Sequence, residues 1–242
     1  VQVWRDYSKS PITLEDAGRG LSFSQNSRWI VSDGSDGRVK LWDAMTGQIV
    51  VDFPVGQILE VFLGADSKHI LATSQDGIVK VWDISNLGSV IDLAQFPINK
   101  DAKPSDYSQA AMTPNSKYLL AVINGVAHVW NTPTGQLKAR LHHPAGQINE
   151  AFLSHDGKRA ITTSENEARI WDIETGVLLH ALPHKAKSLH ANFNGEPDGR
   201  MAWTWNIEDG LVKVWNLKGK RPVVDTEIAL GKETSYVTIS PD

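Results

Sequence analysis

Hydrophobic positions along the chain fall in short runs of four to six residues rather than in long stripes. Examples are "HILATS" at 69–74, "YLLAVI" at 118–123 and "RAITTS" at 159–164, all rich in β-branched residues. Runs this short predict strands when turn residues bound them. Those turn residues recur upstream of each internally repeated Trp: "SDG" at 35–37, "QDG" at 75–77, "NG" at 124–125, "SENE" at 164–167 and "EDG" at 208–210. A second set reads "SQNSR", "GADSK", "TPNSK", "SHDGK" and "EPDGR". No stretch sustains the three-and-four spacing of an amphipathic helix. The pattern predicts an all-β chain of many short strands.

The runs repeat. "VQVW", "VKLW", "VKVW", "AHVW", "ARIW" and "VKVW" end at Trp4, Trp42, Trp82, Trp130, Trp171 and Trp215, at intervals of 38, 40, 48, 41 and 44 residues. Six of the nine tryptophans therefore share one period near 40. Asp or Asn follows each internal copy (Asp43, Asp83, Asn131, Asp172, Asn216), and a turn comes next, read as "AMTG", "TPTG" and "IETG" in three copies. Each period has room for about four strands. One such sheet cannot bury both faces alone, whereas sheets stacked radially can.

Asp–Gly shortly before Trp, then Trp–Asp, repeated about every 40 residues, resembles the WD-repeat family over essentially the whole chain. The resemblance implies a β-propeller of four-stranded blades, with strands a to d running outward from the axis. Residues 1–242 form one propeller domain or a segment of one, with c strands ending at the six Trp. Five Trp-to-Trp periods and two partial blades leave the ring incomplete; seven blades are favoured and six are possible, so missing flanking sequence is expected to complete it. Family repeats often hold a His, a strand Ser or Thr, the turn Asp and the Trp in one hydrogen-bonded ladder. The chain has no Gly–His pair. His184 fits the His position best, and Pro54 or Pro144 occupies it elsewhere. Ser74, Asp76 and Trp82 form the most complete set. Asp36 with Trp42 and Asp209 with Trp215 keep two members, and Asn124, Trp130 and Trp171 fill further turn and strand positions.

Composition narrows the chemistry. A net charge of −4 with short basic runs does not call for a polyanion, so a nucleic-acid partner is not expected. No apolar stretch is long enough for a membrane-spanning helix. The absence of cysteine excludes disulfides, thiolate nucleophiles and cysteine–zinc sites. It fits the cytoplasm, which is the expected compartment, and also the periplasm. No phosphate loop ending in Lys–Ser/Thr occurs. The pairs His142–His143 and His180–His184 lack carboxylates at metal-ligand spacing. No cofactor, no metal and no catalytic residue is expected.

What remains is recognition. The d–a and b–c loops share one face, which is the usual binding face of the family. "PVGQILEVFL" and "PAGQINEAFL" place Glu60 and Glu150 at equivalent positions, either as copies of a duplicated unit or as rim acids that receive a basic partner residue. The long interval carries an insertion, "QFPINKDAKPSD" at 95–106, with Lys100, Asp101 and Lys103 on a d–a loop. Trp203 and Trp205 share one face of a b strand, either packed against a neighbouring blade or offered as an aromatic anchor. With His184, these are the candidate contacts for a protein or peptide partner; nothing in the sequence specifies a small-molecule ligand. The function expected is a non-catalytic binding scaffold. The alternative is the sensor propeller of a larger signalling enzyme, a switch ATPase or a kinase, with its catalytic domain outside these residues.

Overall fold

The short apolar runs become strands in a computed structural model that describes residues 1–4, 11–18, 20–75, 78–85, 89–95, 107–123, 125–144, 146–187, 189–193, 199–231 and 237. Asp76, Asn124, Lys100, Asp101, Lys103 and the insertion at 96–106 lie outside the described residues. The described residues form two compact units, Val1–Pro104 with Thr132–Gly135, and Ser105–Asn131 with Gln136–Asp242.

In the first unit β1 (Gln2–Val3) pairs with β2 (Ile12–Thr13). Two four-stranded antiparallel sheets follow: β3 (Leu21–Phe23), β4 (Trp29–Asp33), β5 (Arg38–Asp43) and β6 (Ile49–Pro54), then β7 (Ile58–Leu63), β8 (His69–Ser74), β9 (Ile78–Asp83) and β10 (Ser89–Gln95). The second unit holds three more: β11 (Tyr107–Met112), β12 (Tyr118–Ile123), β13 (Val126–Asn131) and β14 (Gln136–Leu141); β15 (Glu150–Leu153), β16 (Arg159–Thr163), β17 (Glu167–Asp172) and β18 (Leu178–Pro183); β19 (Leu189–Phe193), β20 (Met201–Asn206), β21 (Leu211–Asn216) and β22 (Val223–Ala229). Each sheet is ordered as its strands run in sequence, which is the blade of a β-propeller.

The turns follow from local chemistry. Asn26, Asp66, Asn115 and Asp156 accept a hydrogen bond from the amide two residues on. The residue after each is left-handed: Ser27, Ser67, Ser116 or Gly157, with φ of 57°, 58°, 53° and 65°. Asp43 accepts from the amides of Met45 and Thr46, and Asp172 from that of Thr175. Those two amides hold the Asp43 carboxyl below the usual carboxylate range. The acid after Trp is thus a turn cap.

Blades stack through their Trp. Trp82, Ile70 and Ala72 pack against Val31, Leu41 and Phe53 of the preceding blade, with the Phe53 and Trp82 rings 4.8 Å apart. In the second unit Trp171, Ala160 and Ile173 meet Leu120, Val129 and Leu141. Trp215, Ala202 and Phe193 meet Ile161, Ile170 and Leu182. Apolar contact of this kind is the main source of blade stability.

The hydrogen-bonded ladder differs from expectation. Its hydroxyl position is on the b strand two residues beyond the cross-strand partner of each Trp; Ser32, Thr162 and Thr204 fill it, and Ala72 and Ala121 occupy it in the other two blades. Trp42, Trp171 and Trp215 donate Nε1–H to Ser32, Thr162 and Thr204 at 2.9, 2.8 and 2.9 Å. Ser74 lies four residues beyond the partner of Trp82, so it is not the rung, and Ala72 stands there without a hydroxyl. The His position also shifts. His143 and His184 reach Thr162 and Thr204, each at 2.8 Å, so His143 rather than Pro144 fills it. Asp36 and Asp209 cap their own turns by accepting from the amides of Arg38 and Leu211. Removing the Thr162 hydroxyl by Thr162→Val is expected to cost about 1–3 kcal/mol in chemical denaturation, because two buried partners lose it.

Candidate partner interface

The antiparallel order of each blade puts the a–b and c–d turns on one face and the b–c and d–a connections on the other. On the second face, the residue opposite the one that follows the ladder position marks the inner rim: Glu60 opposite Thr73, Glu150 opposite Thr163, His190 opposite Trp205. Glu60 is exposed on the first unit.

Within the second unit the rim becomes a contact between blades. Glu150 Oε1 accepts a hydrogen bond from His190 Nδ1 at 2.7 Å, with the two side chains 27% and 32% exposed. The imidazole lies against the Trp205 ring, with centroids 5.4 Å apart. On β17, Arg169 Nε donates to Glu167 Oε1 at 2.6 Å, and Nη1 reaches the His142 carbonyl at 3.3 Å. The Arg169 guanidinium sits over Trp171 at 5.8 Å. Glu150–His190 and Glu167–Arg169 are therefore two partly exposed polar pairs, with His190 against Trp205 and Arg169 over Trp171.

The other candidates sort differently. His184 is buried, and its shift below the usual histidine range comes from that burial first and from Lys213 second. Trp203 and Trp205 are only 9% and 4% exposed. These three are packing and ladder residues rather than surface anchors. His190, Glu167 and Arg169 are the rim groups that sequence reasoning missed. A Thr hydroxyl beside an imidazole recurs at Thr162–His143 and Thr204–His184, but both hydroxyls are fully buried and already accept from Trp. No substrate can reach either.

The opposite face carries a cavity of about 340 Å³ lined by Asn115, Lys117, Tyr118, Asp156, Lys158 and Glu174 among others. Glu174 accepts from the Tyr118 hydroxyl and from Lys117 at 3.0 Å, and Lys138 lies 3.4 Å away. The Tyr118 hydrogen bond, then Lys117, hold the Glu174 carboxyl down to about 2. It is an anion already satisfied by its own chain. Among the described residues no group of three or more His, Asp or Glu is placed to hold a metal, and no helix is long and apolar enough to cross a membrane.

Residues 16–43 and 56–83 match the family model described as WD domain, G-beta repeat. The chain carries WD repeats. The matched segments end at Asp43 and Asp83, the acids after Trp42 and Trp82, and the three blades of the second unit repeat the same strand order. WD repeats generally build scaffolds for protein interaction. No curated protein matches the chain.

Proposed function

We propose that the chain is a non-catalytic platform that recognises a protein or peptide on the face formed by its b–c and d–a connections. The Glu150–His190 pair supports this reading most directly. It spans two blades on the rim, is about one-third exposed, and rests on Trp205. A basic side chain of an incoming peptide can take over the Glu150 carboxylate from His190. It would exchange one charge-assisted hydrogen bond for another. Mixed charges bordered by aromatic rings suit recognition of a protein surface. The buried state of the two Thr–His contacts favours a non-catalytic role.

Peptides selected by phage display on the intact chain test the reading. Glu150→Gln is expected to weaken the selected peptides about tenfold or more, equivalent to about 1.4 kcal/mol. Lys117→Ala, on the opposite face, is expected to leave them unchanged. Equal affinity for Glu150→Gln and the parent would remove this rim from the binding site.

A further inference from the structure

Among the described residues Glu150 has one close partner, His190, and that partner can change charge. An ionised carboxylate only accepts hydrogen bonds, so His190 Nδ1 carries the proton of the 2.7 Å contact with Glu150 Oε1. In the neutral ring Nε2 is then the basic nitrogen. Nε2 has no partner among the described residues, and the side chain is partly exposed. Water can therefore deliver a second proton to the ring while the bond to Glu150 stays in place. The ladder histidines are built the opposite way. His143 and His184 bond one ring nitrogen to a Thr hydroxyl and bury the other without a partner. Burial is the first cause that lowers both below the usual histidine range.

β19, which carries His190, packs against β15, β16, β17 and β20. The charged side chains on those strands are Glu150 on β15, Arg159 on β16, and Glu167, Arg169 and Asp172 on β17; β20 has none. Exposed Lys185 and Lys187 lie on the connection into β19. Of all these groups only Glu150 pairs with the imidazole. Resting on the rim reading above, we infer that His190 is a pH gate on partner binding at Glu150. Neutral, it gives Glu150 one hydrogen bond and yields the carboxylate to an incoming Lys or Arg. Protonated, it holds the carboxylate in a charge-assisted bond, which is stronger, and it repels the incoming cation. The Trp205 ring, 5.4 Å from the imidazole centroid, favours the charged form further. Acid therefore releases the partner. By linkage, partner binding expels a proton from the rim.

Calorimetry on the intact chain tests the gate, with selected peptides that contain Lys or Arg and no His. Their affinity for the parent is expected to fall about tenfold between about pH 8 and about pH 5.5, across the range where imidazole changes charge. Binding between those limits is expected to release protons, read from the heats in buffers of different ionisation enthalpy. His190→Gln offers an amide to Glu150 and cannot titrate. Its affinities at the two pH values are expected to agree within about twofold, without proton release. His143 and His184 are present in both chains, so acid weakening of the fold cancels in the comparison. Constant affinity of the parent across this range would overturn the gate. So would an equal pH dependence in parent and His190→Gln; in either case, peptides still weakened by Glu150→Gln would leave the rim site standing. Peptides indifferent to Glu150→Gln would remove the rim reading itself, and the gate with it.

Discussion

Trp171→Ala is expected to destabilise the chain by about 3–5 kcal/mol, the scale for emptying a buried Trp site. The indole fills the junction between two blades of the second unit, against Leu120, Val129 and Leu141. It also donates to Thr162 and lies edge-on to His143, with centroids 6.4 Å apart. Its removal leaves a cavity, an underused hydroxyl and a buried imidazole with less cover. Trp171→Phe keeps most of the packing and loses only the N–H, so its cost is expected to fall to about 1–3 kcal/mol. Denaturant titration of both variants separates packing from hydrogen bonding. Equal losses would place the stabilisation in the hydrogen bond. A loss below about 1 kcal/mol for Trp171→Ala would contradict the stacking role.

Acid is expected to weaken the fold well above the range where carboxylates titrate. Burial, with Arg169 adding to it, pushes His143 from 6.5 down to about 4, and Glu167 Oε1 at 3.7 Å offsets this only in part. The unfolded chain therefore takes up this proton first. The contribution of His143 to stability is complete above about pH 6.5 and is lost as pH falls through the folded value of about 4. Below that both states are protonated and the loss levels off. The shift corresponds to about 3 kcal/mol. His184 is lowered in the same direction, by burial and then Lys213, and adds to the loss. His143→Gln cannot titrate. The stability difference between parent and variant is expected to shrink between pH 7 and pH 4, measured by denaturation at each pH. Parallel curves would show that His143 does not titrate as its burial requires.

How much of this was legible in the sequence depended on whether the cause was local. The Trp period and the turns could be read directly, because Asp43, Asp172 and the Asn or Asp before each left-handed residue act within three positions of themselves. The ladder could be read only in part. Its hydroxyl row is fixed by cross-strand register, which moved the rung from Ser74 to Ala72. Its His row was hidden by a swap of order: His143 precedes its proline and His184 follows one, so aligning on proline hid the equivalence. The rim was least legible. Glu60 and Glu150 stand in similar segments, yet the partner of Glu150 is His190, one blade away, on a rung where the repeated acid has become an imidazole. Trp203 and Trp205 looked available for binding because alternation shows which residues share a face and not whether that face is covered.

A partner is expected to dock on the rim face of the WD blades. Amide exchange of the intact chain, with and without a selected peptide, tests it most directly. Slowed exchange is expected around 142–150, 164–169 and 184–190, the segments that carry Glu150, Arg169 and His190, with no change in the turns at 43–47 and 172–176. Protection confined to those turns, with the rim unchanged, would contradict it.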